Sequence, residues 1–440
     1  MPVQAQTALA APALAGAPPK VPAAQQLTLA QALEYARNNS PLLQGALYQV
    51  ASARANLSGQ RAPVNPIFNV GGLNNSTGPS VGPLDLGRAS NYAFAFTVET
   101  NGGIGWRTSQ ARNQLFGTQA DARTTSLGVA QAVTGGYIDL QVADANLENE
   151  QQAYASALRI SDLTEKQFRL GAAPETSASR AAIALTQEQS SLLKANSVVR
   201  VARASLNIQM GRDAEVPVDA ADALEYRPAA DLPTLNALQT RAVQNRPELQ
   251  SAEFARRALR ANVGLQRAQS LPNLYVGTDL EAIQSGRLQF GLTLPLFDFG
   301  SIRGAVRKAQ SDVKAQEAVL TQQRQIVQLD VSTAYDALRR SQRIVALYQE
   351  GILPTTASLL QKIEKGYTLG GSTILDLIDA QNNNRQVRSD YNNAIGDYNR
   401  ALAQLERAIG EPLTPASATS LLFAPAVSTP ASMPTQQLKR

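Results

Sequence analysis

The residues with the clearest chemical potential are two acids just past a glycine-rich turn. Asp376 and Asp379 stand three positions apart in a helical pattern, so both carboxylates fall on one face of a helix. Ahead of them runs Gly366-Tyr367-Thr368-Leu369-Gly370-Gly371-Ser372-Thr373, a helix-stop signal that carries a phenol. Such a carboxylate pair could act as an acid–base couple, ring a constriction that favours cations, or simply stabilise the positive end of a helix dipole. The rest of the 440-residue chain narrows the choice. It contains neither Cys nor His. That removes thiolate nucleophiles, imidazole bases, Ser-His-Asp triads and the usual zinc ligands. No P-loop and no dinucleotide fingerprint is present, and no predicted cleft surrounds the two acids, so an enzyme is a poor reading.

The net charge is +5, but basic residues occur as pairs such as Arg256-Arg257 and Arg339-Arg340, and aromatics are 5% of the chain. A nucleic-acid footprint needs a basic patch with interleaved aromatics, so no nucleic-acid partner is expected. Nowhere do 18 consecutive apolar residues occur, so no transmembrane helix is predicted. Residues 1–26 form an Ala/Pro-rich N-terminal segment whose first charge is Lys20; Ala13-Leu14-Ala15 and Ala15-Gly16-Ala17 would suit a signal-peptide cleavage site, although the basic n-region is missing. With no Cys to carry an acyl anchor, the folded body itself is expected to hold any membrane attachment. Residues 411–440, rich in Pro, Ala, Ser and Thr, read as a disordered or equatorial tail.

The elements that must position the acids come in two copies, offset by about 200 residues. Leu29, Ala36, Asn39, Pro41, Leu43 and Gln44 are answered by Leu235, Ala242, Asn245, Pro247, Leu249 and Gln250; Phe168-Arg169-Leu170-Gly171 is answered by Tyr367-Thr368-Leu369-Gly370; Gly211 is answered by Gly410. The first repeat spans 27–211 and the second 235–410, with a linker at 212–234 carrying Pro217, Pro228 and Pro233. Each copy predicts an opening helix (Leu27–Ala62; Leu235–Gln269) in which Pro41 and Pro247 mark a kink or a late start, a β-hairpin (about 66–99; about 272–297), long helices and a tip turn (about 168–176; about 366–373). Val306, Val313, Leu320, Val327, Ala334, Ser341 and Tyr348 recur every seven residues, with a second row at Val331, Leu338, Val345 and Ile352, which is coiled-coil spacing. Pro354 predicts a break into two stacked helices. From Ile302 to Gly366 the helical rise gives about 98 Å, too long for a compact domain.

The strands carry the second message. Tyr92, Phe94, Phe96 and Val98 alternate with small or polar residues, as do Leu288, Phe290, Leu292, Leu294 and Leu296, and Leu274, Val276, Thr278 and Leu280. Alternation alone fits soluble hairpins on helices as well as strands facing lipid. The hairpins occupy the same place in both repeats, at one end of very long helices. Four strands cannot close a membrane barrel, since the smallest have eight, and lipid forbids open edges. A membrane reading therefore requires several chains around one pore.

These features together resemble the TolC family of outer-membrane efflux and secretion channels, over about residues 27–410. The resemblance is carried by Leu27-Thr28-Leu29-Ala30-Gln31-Ala32-Leu33, by the strand-to-helix passages Val98-Glu99-Thr100-Asn101-Gly102-Gly103 and Leu294-Pro295-Leu296-Phe297-Asp298-Phe299-Gly300, and by Gly366–Ala380. It implies a mainly α fold with transmembrane β: a tandem-repeat α-helical coiled-coil barrel capped by a trimeric twelve-stranded β-barrel in outer-membrane lipid, four strands per chain. It further implies a large periplasmic helical domain, a periplasmic membrane-fusion adaptor and an inner-membrane pump of the RND or ABC type, with no cofactor and no metal. The function it implies is passive conduction as the exit duct of a tripartite efflux pump, with type I protein secretion the alternative. A pore-less periplasmic coiled-coil scaffold is a more distant reading, opposed by the alternating strands. By resemblance, Leu170, Gly171 and Ala172, with Leu369, Gly370 and Gly371, are the paired adaptor-docking turns, and Asp376, Asp379 and Tyr367 belong to the gate. Ser372 stands where the family's closing network has an Arg. Arg180 and Ser177 occupy the first-repeat positions matching Asp379 and Asp376, so Arg180 is a candidate partner for the acids across the tip.

Overall fold

The computed structural model describes residues 25–71, 91–228, 232–281, 285–293 and 298–413. A short strand, β1 (Gln25–Leu27), precedes α1 (Leu29–Asn39) and α2 (Pro41–Arg61); β2 (Ile67–Gly71), β3 (Asn91–Val98), α3 (Gly103–Arg169) and α4 (Glu175–Met210) follow. After β4 (Val218–Ala220) the series recurs as α5 (Leu235–Asn245), α6 (Pro247–Ala268), β5 (Asn273–Glu281), β6 (Ser285–Thr293), α7 (Ser301–Leu347), α8 (Leu353–Thr368) and α9 (Ile374–Ile409). The sequence expectations for residues 1–24, the loop 73–90 and the tail beyond 413 lie outside the described residues.

Each opening helix is two helices rather than one. A proline ring disfavours helical geometry in the residue before it, and Ser40 and Arg246 are accordingly extended, at φ −63° with ψ 122° and 121°. Pro41 and Pro247 then start α2 and α6 at the position where a missing N–H costs nothing. The start of α1 is two residues later than the pattern suggested, because Thr28 caps it. Its hydroxyl accepts from the Gln31 N–H while the Gln31 side chain accepts from the Thr28 N–H. The far ends of the repeats return to these breaks. Gly211 and Gly410 close α4 and α9 at φ +79°, and Gly211 sits so close to the α1–α2 break that a Cβ there would lie 2.8 Å from the Asn39 carbonyl oxygen.

The long rods are longer than the periodicity required. α3 has 67 residues, about 100 Å of helix. The expected break at Pro354 is instead a change of pitch. A π-helical turn, Tyr348–Ile352, leads from α7 into α8 without a reversal of direction, and the wider turn accommodates the proline ring. Of the heptad rows, Val306, Val313 and Tyr348 are half-buried and Ile352, expected in the second row, is exposed, whereas the middle faces inward: Leu320, Val327, Val331, Ala334, Leu338, Ser341 and Val345 are buried. They join residues of α5 and α9 in one apolar cluster, while α1, α3 and α4 form its counterpart in the first repeat.

The packing order follows from the contacts. α3 lies against α2 and α6 toward the strands and against α4 and α9 toward the tip turns; α6 and α9 in turn lie against α7, and α8 against α9. The chain is thus a row of helices with α2 and α4 along one edge and α7 and α8 along the other. Both edges show large apolar side chains to solvent: Leu47, Tyr48, Leu193 and Val201 on one, Leu329 and Leu347 on the other.

At mid-height the linker is strapped on by a parallel pairing of β1 with β4, which the sequence did not suggest. Tyr137 of α3 secures it. Its buried hydroxyl lies 3.0 Å from both the Leu27 carbonyl oxygen and Asp222 Oδ2, and burial pushes its pKa up to about 12. The phenol therefore stays a neutral donor. Tyr137→Phe is expected to lower stability by about 1–3 kcal/mol, because the strap loses its buried hydrogen bonds; thermal unfolding followed at 222 nm checks this.

The two hairpins merge into a single antiparallel sheet in the order β2-β3-β5-β6, with β2 and β6 as its edges. Leu274 pairs with Leu292 and Val276 with Phe290, so these four share a face, and Phe290 and Leu292 are largely exposed. β6 begins at Ser285 rather than Arg287; Leu294 and Leu296, and the side chains of Tyr92, Phe94 and Phe96, lie outside the described residues. Among the described residues no helix is long and apolar enough to cross a membrane.

Candidate functional site

The two glycine turns sit together at the end of the rods opposite the sheet, and they are built alike. α3 stops when Gly171 turns to φ +74°; its N–H bonds the Phe168 carbonyl oxygen and the Ala172 N–H bonds that of Gln167. α8 stops when Gly370 turns to φ +80°, with the Gly370 N–H on Tyr367 and the Gly371 N–H on Gly366. Both are Schellman closures, which require a left-handed residue that glycine adopts without strain. In each turn the preceding leucine points into solvent: Leu170 is 84% exposed and Leu369 86%. Nothing lies within 4 Å of where a Cβ would stand on Gly171 or Gly370. The end of each hairpin is therefore bare backbone beside an uncovered apolar side chain.

Gly366 is constrained by space instead. A Cβ there would meet the Ser372 hydroxyl, which would have to rotate away, while the nearest backbone atom, Ser372 N, is 3.7 Å off. Behind the turns a small apolar cluster of Ala181, Ile374 and Leu377, with Ile160, Leu360, Ile363, Tyr367 and Ile378 against it, ties α3, α4, α8 and α9. Tyr367 hydrogen-bonds Thr164 Oγ1 at 3.1 Å and donates to Gln167 Oε1 at 3.2 Å. It thus fastens α8 to α3 within one chain.

The two acids differ. Asp376 closes a capping box at the start of α9: its carboxylate accepts from the Thr373 N–H at 2.9 Å and the Thr373 hydroxyl at 2.7 Å. The Thr373 hydroxyl, and then the Thr373 N–H, hold its pKa below the usual carboxylate range. It is a fixed negative charge with one oxygen engaged locally. Asp379 is exposed on the next turn, and no hydrogen bond or ion pair engages it among the described residues. Arg180 is exposed on α4, and among the described residues it forms no ion pair with either acid of its own chain. Ser177 is half-buried beside the turn.

Two turns of helix further in lies a charge cluster that no sequence motif announces. Arg385 of α9 reaches Glu150 of α3 at 3.0 Å and Glu188 of α4 at 3.5 Å, and the two carboxylates are only 11% and 12% exposed. Burial raises the Glu188 pKa, and the Arg385 charge opposes that rise. Around it the α3–α9 seam is polar: Asn149 donates to the Arg385 carbonyl oxygen, Arg388 to Gln152, and Gln381 to Ser156. A cavity of about 190 Å³ opens onto Gln152, Ser156, Glu188, Gln381 and Arg385. The available signal was composition: Asn and Gln crowd 381–386 at positions where an amphipathic helix would place apolar residues.

Comparison with known proteins places this geometry. The sequence model of the family described as outer membrane efflux protein matches residues 32–212 and 238–411, which are the two repeats. The pyoverdine export outer membrane protein OpmQ of Pseudomonas putida is 24% identical over 400 residues, covering 80% of this chain and 79% of that protein. The cation efflux system protein CusC of Escherichia coli is 24% identical over 383 residues, covering 81% and 80%. Among solved structures, the outer-membrane channel OprN superposes with a TM-score of 0.72 at 18% identity, covering 87% of this chain and 89% of that one.

Proposed function

As this chain belongs to the outer membrane efflux protein family, whose members are channel components rather than enzymes, and is itself an outer-membrane efflux component with a large periplasmic helical body, we propose that three copies close into one continuous duct. The observation that carries this is the pair of unfinished edges. A four-stranded sheet with two open edges lies above a row of helices whose two outer edges both expose apolar side chains. Joining β6 to the β2 of a second copy, and α7 to its α2 and α4, satisfies both at once. Three copies give a twelve-stranded barrel, which clears the minimum for a membrane barrel, and lipid tolerates no open edge.

In that assembly the duct supplies walls and an entrance, and a pump elsewhere supplies the work. Leu170 and Leu369 would insert into a periplasmic adaptor that bridges to an inner-membrane pump, because exposed leucine beside bare glycine backbone fits a close-packed helical partner. Asp376 and Asp379 would place six carboxylates around the entrance and favour cations. Any pairing of Arg180 with these acids would be made between chains. The two relatives are named for pyoverdine export and for cation efflux, which agrees with a duct whose cargo is chosen by its pump.

Two outcomes test this. In planar bilayers the purified protein should give discrete current steps without ATP, and Asp376→Asn with Asp379→Asn should lower the cation-over-anion permeability ratio roughly several-fold. If the ratio does not move, the acids do not line the entrance. Separately, Leu170→Asp with Leu369→Asp should weaken adaptor binding by about tenfold or more while leaving the current steps unchanged; titration against purified adaptor reads this.

A further inference from the structure

Phe299 is the strangest residue on the surface. It is 99% exposed and stands at φ +46°, the one non-glycine residue with positive φ among those described. That geometry is strained for a bulky residue and persists where something holds the side chain in place. Among the described residues no side chain packs on the ring. The backbone around it is fixed, because Asp298 accepts from the Gly300 N–H and the Ile302 N–H at 3.1 Å each and so caps α7. The ring is thereby presented outward at the passage from β6 to α7.

Its neighbours by height share a pattern. Leu271, where α6 passes into β5, is half exposed, and so is Trp106 in the first turn of α3. At the same level stand Arg61 at the end of α2, Arg267 at the end of α6 and Arg303 in the first turn of α7. All three are exposed, and among the described residues none is in an ion pair. The apolar groups continue the exposed face of Leu274, Phe290 and Leu292 on the strands. Apolar rings with guanidinium groups just below them are what a phospholipid leaflet fits: acyl chains meet the rings, and phosphates take the bidentate guanidinium donors.

We propose that the sheet-to-helix junction is a binding girdle for anionic phospholipid headgroups, with Phe299 as a wedge in the acyl region and Arg61, Arg267 and Arg303 as phosphate contacts. This rests on the reading of the sheet as part of a membrane barrel. A ring that is 99% exposed gains by leaving water, so the girdle also fixes the depth at which the barrel sits.

The absence of cysteine makes the test direct, since Phe299→Cys and Phe290→Cys each create a single thiol for an environment-sensitive fluorophore. Both variants are reconstituted in phosphatidylcholine vesicles doped with 5-doxyl phosphatidylglycerol or 5-doxyl phosphatidylcholine. The label at 299 should be quenched by both, at least about twofold more strongly by the anionic quencher at equal mole fraction. That preference should vanish when Arg61→Gln, Arg267→Gln and Arg303→Gln are combined. The label at 290 should be quenched with or without those changes. If 290 is quenched and 299 is not, Phe299 faces a second copy or the lumen; the girdle is then wrong and the barrel stands. Quenching at 299 without anionic preference overturns the headgroup assignment. If neither position is quenched, the girdle and the barrel fall together.

Discussion

Arg385→Met destabilises the helical body by about 3–5 kcal/mol at neutral pH, because it strands two nearly buried carboxylates, Glu150 and Glu188, with no counter-charge. Methionine keeps most of the volume, so the loss reads as charge rather than cavity. The pH dependence identifies the cause. Burial already raises the folded Glu188 pKa above its ordinary value, and Arg385 opposes that rise; removing Arg385 lets it rise further. The folded state then holds more protons than the unfolded chain between the two values, so stability falls as pH climbs through that window. The variant should lie close to the wild type near the ordinary glutamate range and diverge fully by pH 8. Melting in detergent at the two pH values checks it, and a deficit equal at both would assign the effect to packing.

The second large effect is at the repeat closure. Gly211→Ala forces a left-handed residue to carry a Cβ only 2.8 Å from the backbone oxygen of Asn39. Neither the carbonyl nor Pro41 behind it can swing aside as a flexible side chain would. The combined strain and displacement should cost about 2–4 kcal/mol. Gly410→Ala is its internal control: the φ is the same, but the nearest atom is 3.4 Å away, an ordinary contact, so about 1 kcal/mol of backbone strain remains. Equal losses at the two sites would mean that the Asn39 contact is unimportant.

Much of the architecture was legible because it repeats. Two copies of a helix–hairpin–helix series, with Gly171 and Gly370 at matching places, left little freedom in the order of elements. The heptad rows Leu320, Val327 and Ala334 read correctly because coiled-coil burial has a period that composition cannot mimic. What escaped has physical reasons. The β1–β4 strap is three residues long on each side, too short for any alternation to register. Pro354 signals a broken hydrogen bond, but whether the helix stops or widens into a π turn is settled by the packing of α7 and α8 on α9. Arg385, Glu150 and Glu188 are the residue types of an exposed face, and only their neighbours on other helices bury them. Asp376 was legible as an acid near a helix start, and the Thr373-x-x-Asp376 spacing is that of a capping box, but that its carboxylate spends one oxygen on Thr373 shows only in the structure.

The tip acids and the girdle at the sheet both depend on the same closure, three chains meeting edge to edge. The most direct measurement is native mass spectrometry of the protein extracted from membranes in mild detergent. The duct proposed above predicts one dominant species of three chains that persists on dilution. A protein that leaves the membrane fraction in aqueous buffer and flies as a single chain would contradict the duct, since one chain can complete neither its sheet nor its ring of helices.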